Sequence, residues 1–388
     1  MRDAVIVEAV RTPVGKRNGA LSRHHAADLS AHVLNALVER TGLDPVLVDD
    51  VIWGCGIAVG MQSGGIGRAA VLAAGWPESV PGVTVERQCG SSQQAVHQAA
   101  AGVIAGQYDI AVAGGVEIMS AVPARAALGD GSYGDPFGPT VLARYGGVPF
   151  HQGVGAQMIA DEYGLSRTDL DQHALDSHAR AAQAIDEGRF TNQVVPVEVV
   201  DEDGTNRLFD TDEGVRRGST LDKLGALKPA FGDEGTITAG NASQISDGSA
   251  ALLVTTSEIA ARHGWRPLAR VHTAVVAGTD PVTMLKGPIP ATRKALDRAG
   301  LTIDDIGAFE INEAFAPVSL AWLRETGASY ERMNPNGGAM ALGHPIGGSG
   351  ARLMTTLVHH MVDQDIRYGL QSMCEGGGMA NATILERL

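Results

Sequence analysis

Short apolar runs alternate with stretches of helical periodicity from one end of the chain to the other, and this alternation is the strongest constraint on its fold. Strands are expected at residues 4–10, 51–53, 110–113, 250–255, 268–277, 308–311, 370–374 and 380–385. Helices are expected at 27–40, 92–105, 168–187, 291–299 and 350–362; in the first, Leu29, Val33 and Leu37 share a face. Such a chain builds an α/β fold. Ser166-Arg167-Thr168-Asp169 reads as a capping box opening the third helix. Gly65-Ile66-Gly67-Arg68-Ala69-Ala70 formally fits a dinucleotide fingerprint, but no strand leads into it, so it is discounted.

A faint repeat divides the chain. Residues 43–53 follow a helix, pass through Asp44-Pro45 and Asp49-Asp50, and enter a strand; residues 301–309 do the same through Asp304-Asp305. Each half opens on a β-rich run, at 4–10 and 268–277. Two similar α/β halves are therefore expected. The stretch 121–244 differs, being rich in Gly, Pro and charge, and is expected as an insertion lying over the first half.

Charge and cysteine usage narrow the function. Thirty basic residues against 44 acidic ones leave a net charge of −14, which argues against nucleic acid or an anionic membrane as the main partner. A phosphorylated small molecule remains open, since it needs only a local basic patch. Cys55, Cys89 and Cys374 are too few for a disulfide framework, so a reducing, cytoplasmic setting is expected. Neither a signal-peptide layout nor an uncharged run of membrane-spanning length is present.

The chemistry concentrates in four short segments. Cys89 lies in Val85-Glu86-Arg87-Gln88-Cys89-Gly90-Ser91-Ser92, directly before a helical run whose N-terminus would favour a thiolate. The alternative is a buried structural thiol. His344 is held between Gly343 and Pro345 in a glycine-rich run, a placement that suits a base; the alternative is a satisfied turn histidine. Cys374 ends a strand and runs into Gly376-Gly377-Gly378, whose backbone N–H groups could hold an oxyanion. The fourth segment is Asn312-Glu313-Ala314-Phe315. Cys55 reads as structural. His173 and His178 do not share a helical face and do not read as metal ligands; His359-His360 reads as the solvated end of a helix.

Together these segments resemble the thiolase family of acyl-CoA acetyltransferases. The resemblance covers essentially the whole chain, from Glu8-Ala9-Val10-Arg11-Thr12-Pro13 through Cys89, Gly114-Gly115-Val116-Glu117, Asn241-Ala242-Ser243 and Gly287-Pro288 to the segments around Asn312, His344 and Cys374. It implies a thiolase fold, with two pseudo-symmetric βαβαβαββ halves in a five-layered αβαβα sandwich. Residues 1–120, completed by about 245–265, would form the first half, 121–244 a loop domain covering the CoA site, and 266–388 the second half. It also implies roles. Cys89 is the acylated nucleophile, His344 its activator, and Asn312 holds a water in the same oxyanion hole. Cys374 is the acid and base at the α-carbon, and the backbone of Gly376 joins that of Cys89 in a second hole. Arg216, Ser243 and His151 line the CoA groove, with Arg217, Lys223 and Lys228 adding to a basic patch.

The resemblance implies a homodimer or homotetramer acting on acyl-CoA and CoA, with CoA a substrate and no metal or other cofactor. Four positions depart from the family pattern. Glu86 stands for a usual asparagine, Ser92 for glycine, Val116 for methionine, and Gln152 for the methionine of short-chain biosynthetic members. These departures favour a degradative 3-ketoacyl-CoA thiolase, serving fatty acid or lipid β-oxidation, over a biosynthetic acetoacetyl-CoA enzyme. A decarboxylating ketosynthase would not need Cys374, and a non-catalytic acyl-CoA or lipid binder would not keep both thiols and His344.

Overall fold

All eight expected strands form, along with four that the sequence pattern does not announce. A computed structural model describes residues 2–388 except 130, 131, 133, 149, 202 and 233. Its strands are β1 (Val5–Arg11), β2 (Gly15–Lys16), β3 (Asp50–Gly54), β4 (Gly82–Val85), β5 (Ile110–Ile118) and β6 (Val197–Val200). They continue with β7 (Asn206–Phe209), β8 (Ser246–Thr255), β9 (Ala269–Gly278), β10 (Ala308–Ile311), β11 (Tyr368–Glu375) and β12 (Met379–Arg387).

The faint repeat is a repeat of topology. The first half runs β4-β3-β5-β8-β1 and the second β10-β11-β12-β9. In the first half β3 lies parallel to β4 and β5, and β8 lies antiparallel to β5 and β1. In the second half β10 lies parallel to β11, and β12 lies antiparallel to β11 and β9. Where β4 flanks β3, a parallel bridge from Met333 flanks Phe309 of β10. The halves meet where β1 pairs with β9, Val5 opposite Arg270 and Ile6 opposite Ala269.

Five layers result. The helices Ala26–Thr41 and Ile66–Ala73 bury Leu29, Val33, Leu37 and Ile66 on the outer face of the first half. Helix Pro288–Ala299 and Trp322 of helix Ala316–Thr326 cover the second half. Between the two halves, Val96 and Ala99 of helix Ser91–Ala105 share a core with Met354 and Leu357 of helix Ser349–Asp363. Gly350 permits that close packing, because a Cβ there would lie 2.3 Å from the backbone nitrogen of Gln93. The two central helices therefore start side by side, and Cys89 and His344 lie just before those starts.

Residues 119–245 link β5 to β8, and their cover is not confined to the first half. Val197, Val199 and Phe209 of the β6–β7 hairpin join the outer core of the first half. Ile159, Leu170 and Ala174, from the helices Gln152–Glu162 and Arg167–Asp186, instead pack with Ala316, Val318 and Ala321 of the second. The expected capping box opens the longer helix: the Ser166 hydroxyl accepts from the N–H of Asp169, whose carboxylate accepts from that of Ser166. His359, expected in solvent, is buried with Nε2 2.9 Å from the Ala9 carbonyl. No helix among the described residues is long and apolar enough to cross a membrane.

Candidate active site

Cys89 sits in the turn between β4 and helix Ser91–Ala105. Gln88 takes a left-handed backbone there, with φ of 50°. Glu86 holds that turn, its Oε1 accepting from the Gln88 backbone N–H at 2.6 Å and from its side-chain amide at 2.9 Å. The Asn381 amide secures the far side by donating to the Gly90 carbonyl at 3.0 Å. The unusual glutamate is thus a brace for the Cys89 turn.

The cysteine itself is buried at 4% exposure, packed with Ile346, Leu353 and Met373. Burial pushes its thiol well above the ordinary range, and Cys374 and Glu375 push it further. The helix-start position alone favours a thiolate, but desolvation outweighs it. Cys89 therefore rests as a thiol and needs a base.

His344 is the candidate for that role. Its backbone N–H donates to the Ser246 hydroxyl at 3.2 Å, which fixes the loop. Its Nδ1 lies 2.6 Å from Ser349 Oγ, and that hydroxyl donates to the Pro345 carbonyl at 2.8 Å. The Ser349 oxygen can then only accept from Nδ1–H, which leaves Nε2 as the unprotonated nitrogen. Nε2 is buried and has no partner. Burial, with Arg352 adding its charge, drives the imidazole down to about 3, so the base is neutral across the working range.

Asn312 and Cys374 come together because Asn312 directly follows β10, which lies parallel to β11 and its Cys374. The Asn312 amide nitrogen lies 3.7 Å from Cys374 Sγ, while its Oδ1 is buried and unpartnered. Cys374 is wholly buried, and desolvation pushes its thiol up to about 12 despite that hydrogen bond. Gly376 turns the chain back toward the Cys89 loop: a Cβ there would lie 3.0 Å from Gln88 Oε1 and 3.3 Å from Gln152 Nε2. The departing residue Gln152 thus stands at the same turn. Glu313 anchors the Asn312 loop, accepting from Ser177 Oγ at 2.7 Å and from the Asn334 amide at 2.8 Å.

The three residues expected around CoA have different neighbours. The backbone N–H of Ser243 donates to the Ala314 carbonyl at 2.9 Å, two residues beyond Asn312. His151 caps helix Gln152–Glu162 and meets Phe231 edge to face at 5.3 Å, and Phe231 meets Phe315 at 5.9 Å. Arg216 and His178 line an open cavity of about 390 Å³. Its companions in the basic patch differ. Arg217 forms a two-pronged pair with Asp186, at 2.8 Å on each oxygen, and Lys223 bonds the Gly218 carbonyl at 2.9 Å.

Ser349, Ser246 and Glu117 escape sequence reasoning. Glu117 accepts from the backbone N–H of Gly56 and of Gly347, each at 2.8 Å, and so ties the His344 loop to the first half. Cys55 packs there too, its Sγ 3.7 Å from Glu117. Only the place of Ser349, five residues after His344 at a helix start, hints at its role.

A buried cysteine, a neutral unpartnered imidazole and a second buried thiol in a five-layered α/β sandwich define an acyltransferase built on nucleophilic cysteine chemistry. The comparisons make the class particular. The thiolase N-terminal domain matches residues 4–258 and the thiolase C-terminal domain residues 265–387. A steroid 3-ketoacyl-CoA thiolase of Mycobacterium tuberculosis is 50% identical over 396 residues, covering 100% of this chain and 95% of that protein. A 3-ketoacyl-CoA thiolase of Photobacterium profundum is 43% identical over 394 residues, with full coverage of both. The crystal structure of the Bacillus anthracis acetyl-CoA acetyltransferase superposes with a TM-score of 0.92 at 39% identity, covering 100% of this chain and 99% of that one. The chain belongs to the thiolase family.

Proposed function

We propose that this chain is a 3-ketoacyl-CoA thiolase working in the degradative direction, cleaving its substrate with CoA to acetyl-CoA and a shortened acyl-CoA. One arrangement carries the reading: two buried thiols, Cys89 and Cys374, close enough that Cys374 raises Cys89, with an unpartnered His344 Nε2 and the Asn312 amide on Cys374. A ketosynthase or a passive binder has no use for that second thiol.

His344 Nε2 takes the proton of Cys89, and the sulfur attacks the 3-keto carbon. The resulting oxyanion is held by the Nε2–H and by a water on Asn312. The bond between C2 and C3 then breaks, and its electron pair passes to acetyl-CoA as an enolate. The backbone N–H groups of Cys89 and Gly376 hold the enolate oxygen, and Cys374 protonates its α-carbon. CoA thiol, giving its proton to the Cys374 thiolate left by that step, then attacks the acyl-Cys89 thioester, and the released Cys89 sulfur takes back the proton held on His344 Nε2. A carbanion beside a thioester is strongly basic, so its stabilisation is the demanding step. A thiol pushed up to about 12 suits a proton transfer with so basic a partner.

Arg216, Ser243 and His151 hold CoA, which is a substrate; no metal or further cofactor takes part. The enzyme serves fatty acid or lipid β-oxidation in the cytoplasm, where Cys55, Cys89 and Cys374 stay reduced. It works as a homodimer or homotetramer, and the open sheet edge at β4 offers backbone for a second copy. The name of the 50%-identical relative supports a bulky ring-bearing acyl group. Thiolysis kinetics across 3-ketoacyl-CoAs, from acetoacetyl-CoA to ring-bearing members, test the reading. Cleavage of none of them overturns it, and a preference for condensing acetyl-CoA moves it to the biosynthetic class.

A further inference from the structure

The mechanism leaves one group of the centre unused. Glu375 follows Cys374 on β11, so its side chain points to the opposite face of the strand. That side chain is fully buried, and neither carboxylate oxygen has a hydrogen-bond partner. It lies against Gly90, the N-cap of the helix that follows Cys89: a Cβ on Gly90 would be 2.0 Å from Glu375 Oε1 and 2.8 Å from Asn381 Nδ2. Asn381 spends its Nδ2 on the Gly90 carbonyl and leaves its own buried Oδ1 unpartnered.

The charged and titratable groups around Glu375 are few. From the nucleophile turn come Glu86, Cys89 and Arg87, whose Nη1 stays 3.9 Å from Oε2. From β11 comes Cys374, and β12 presents the uncharged Asn381 and Met379. Along the helix, His97 is neutral and bonded to Thr383 Oγ1 at 2.7 Å. A bare carboxylate with two empty oxygens is a costly occupant of such a place. A neutral carboxylic acid is not, and its O–H can answer an unpartnered acceptor on the same side.

We propose that Glu375 is a positioning residue that works as a neutral acid, bracing the Cys89 turn against the strand end that carries Cys374 and Gly376, and that losing its proton shuts down acyl transfer to Cys89. Burial pushes its carboxyl up to about 8, with Arg87 only partly opposing, so the proton is held at neutral pH and released just above it. Once ionised, Glu375 places a negative charge beside Cys89, where it opposes both the thiolate and the oxyanion held by the Cys89 and Gly376 N–H groups. The kinetic half of this proposal rests on Cys89 being the acylated residue.

The test has two arms on the intact enzyme. Infrared titration follows the carbonyl band of a buried carboxylic acid in wild type and E375Q. Glu310, also buried and raised to about 8, contributes such a band to both proteins, so the expected result is a wild-type-minus-E375Q difference band that is present at pH 7 and fades as pH rises through about 8. The second arm measures the rate of Cys89 acetylation by acetyl-CoA from pH 6 to 9.5. Wild type should lose rate above about 8, while E375Q, a fixed mimic of the neutral acid, keeps its rate and exceeds wild type roughly tenfold at pH 9. No difference band between wild type and E375Q at pH 7, or the same alkaline loss of rate in E375Q, overturns the proposal. If wild type never acetylates Cys89, the nucleophile assignment fails with the kinetic half, and the infrared arm still decides whether Glu375 holds its proton.

Discussion

Ser349 Oγ lies 2.6 Å from Nδ1 of His344 while donating its own proton to the Pro345 carbonyl. The serine fills the place that a carboxylate takes in a catalytic triad, but it brings no charge. It orients the ring and sets the tautomer without raising the basicity of Nε2. Ser349→Ala should therefore lower kcat by roughly fivefold to tenfold, the worth of one neutral hydrogen bond, and leave the KM for CoA unchanged. Steady-state kinetics on a 3-ketoacyl-CoA check this. An unchanged kcat would mean that the loop backbone alone, through Ser246 and Glu117, aims the imidazole.

The two thiols should separate experimentally. Cys89→Ser should abolish turnover with the fold intact, since a hydroxyl at neutral pH has no comparable ionised fraction. Cys374→Ala should still accept an acetyl group on Cys89 but lose exchange of the α-protons of acetyl-CoA in deuterated water. A loss on the order of 10²–10⁴-fold is expected for a missing proton-transfer group. Acyl label trapped on Cys55, or undiminished deuterium uptake in Cys374→Ala, would reverse the assignments.

What the sequence could reveal follows the range of the forces involved. The β1 strand and residues 250–255 of β8 are legible because near-continuous burial makes them near-continuous apolar runs. The β4 strand is not, because Gly82–Val85 lies half exposed at the sheet edge with no alternation to read. Helix Ile66–Ala73 hides behind glycines that imitate a nucleotide loop. Cys89, His344 and Cys374 stand out because each lies beside glycines. Arg216 and Arg217 look alike in sequence. Only the fold shows that Arg217 is bound to Asp186, 31 residues away.

Stability should fall on acidification from a definite source. Burial lowers His97 and His178 to about 4 and His344 to about 3, against an ordinary value of 6.5. The unfolded chain then takes up protons first, so the stability these residues contribute is full above 6.5 and falls as pH drops toward 4. Glu310 and Glu375, raised to about 8 from 4.5, act oppositely: their share is full below 4.5 and is lost as pH rises through 8. His97→Gln removes one of these three histidines, whose ring nitrogen pairs with Thr383 Oγ1. Between pH 6 and 5 its unfolding free energy should depend on pH less steeply than wild type, by about 1.4 kcal/mol per unit. Urea melts at a series of pH values measure this, and parallel curves would show that His97 is protonated when folded.

Arg216 and Arg217 are adjacent, both exposed, and part of one basic patch in an acidic chain. Their partners differ. Both border the cavity, but the Arg217 guanidinium is committed to Asp186, whereas the bond of Arg216 to His178 Nδ1 comes from its backbone N–H. Beside it His178 stays neutral, lowered first by burial and then by the Arg216 charge, so the arginine is the positive group there. A guanidinium can pair with phosphate and stack on a base, so lysine should replace it imperfectly. A contact remote from the reacting carbons binds ground and transition states alike, and its loss raises KM more than it lowers kcat. Arg216→Ala should accordingly raise the KM for free CoA and for acyl-CoA by roughly tenfold, the worth of a charge-assisted hydrogen bond, with kcat nearly constant. Arg217→Ala should change neither. Equal effects of the two substitutions would make the patch a diffuse attraction rather than a site, and an unchanged KM in Arg216→Ala would remove that residue from CoA binding.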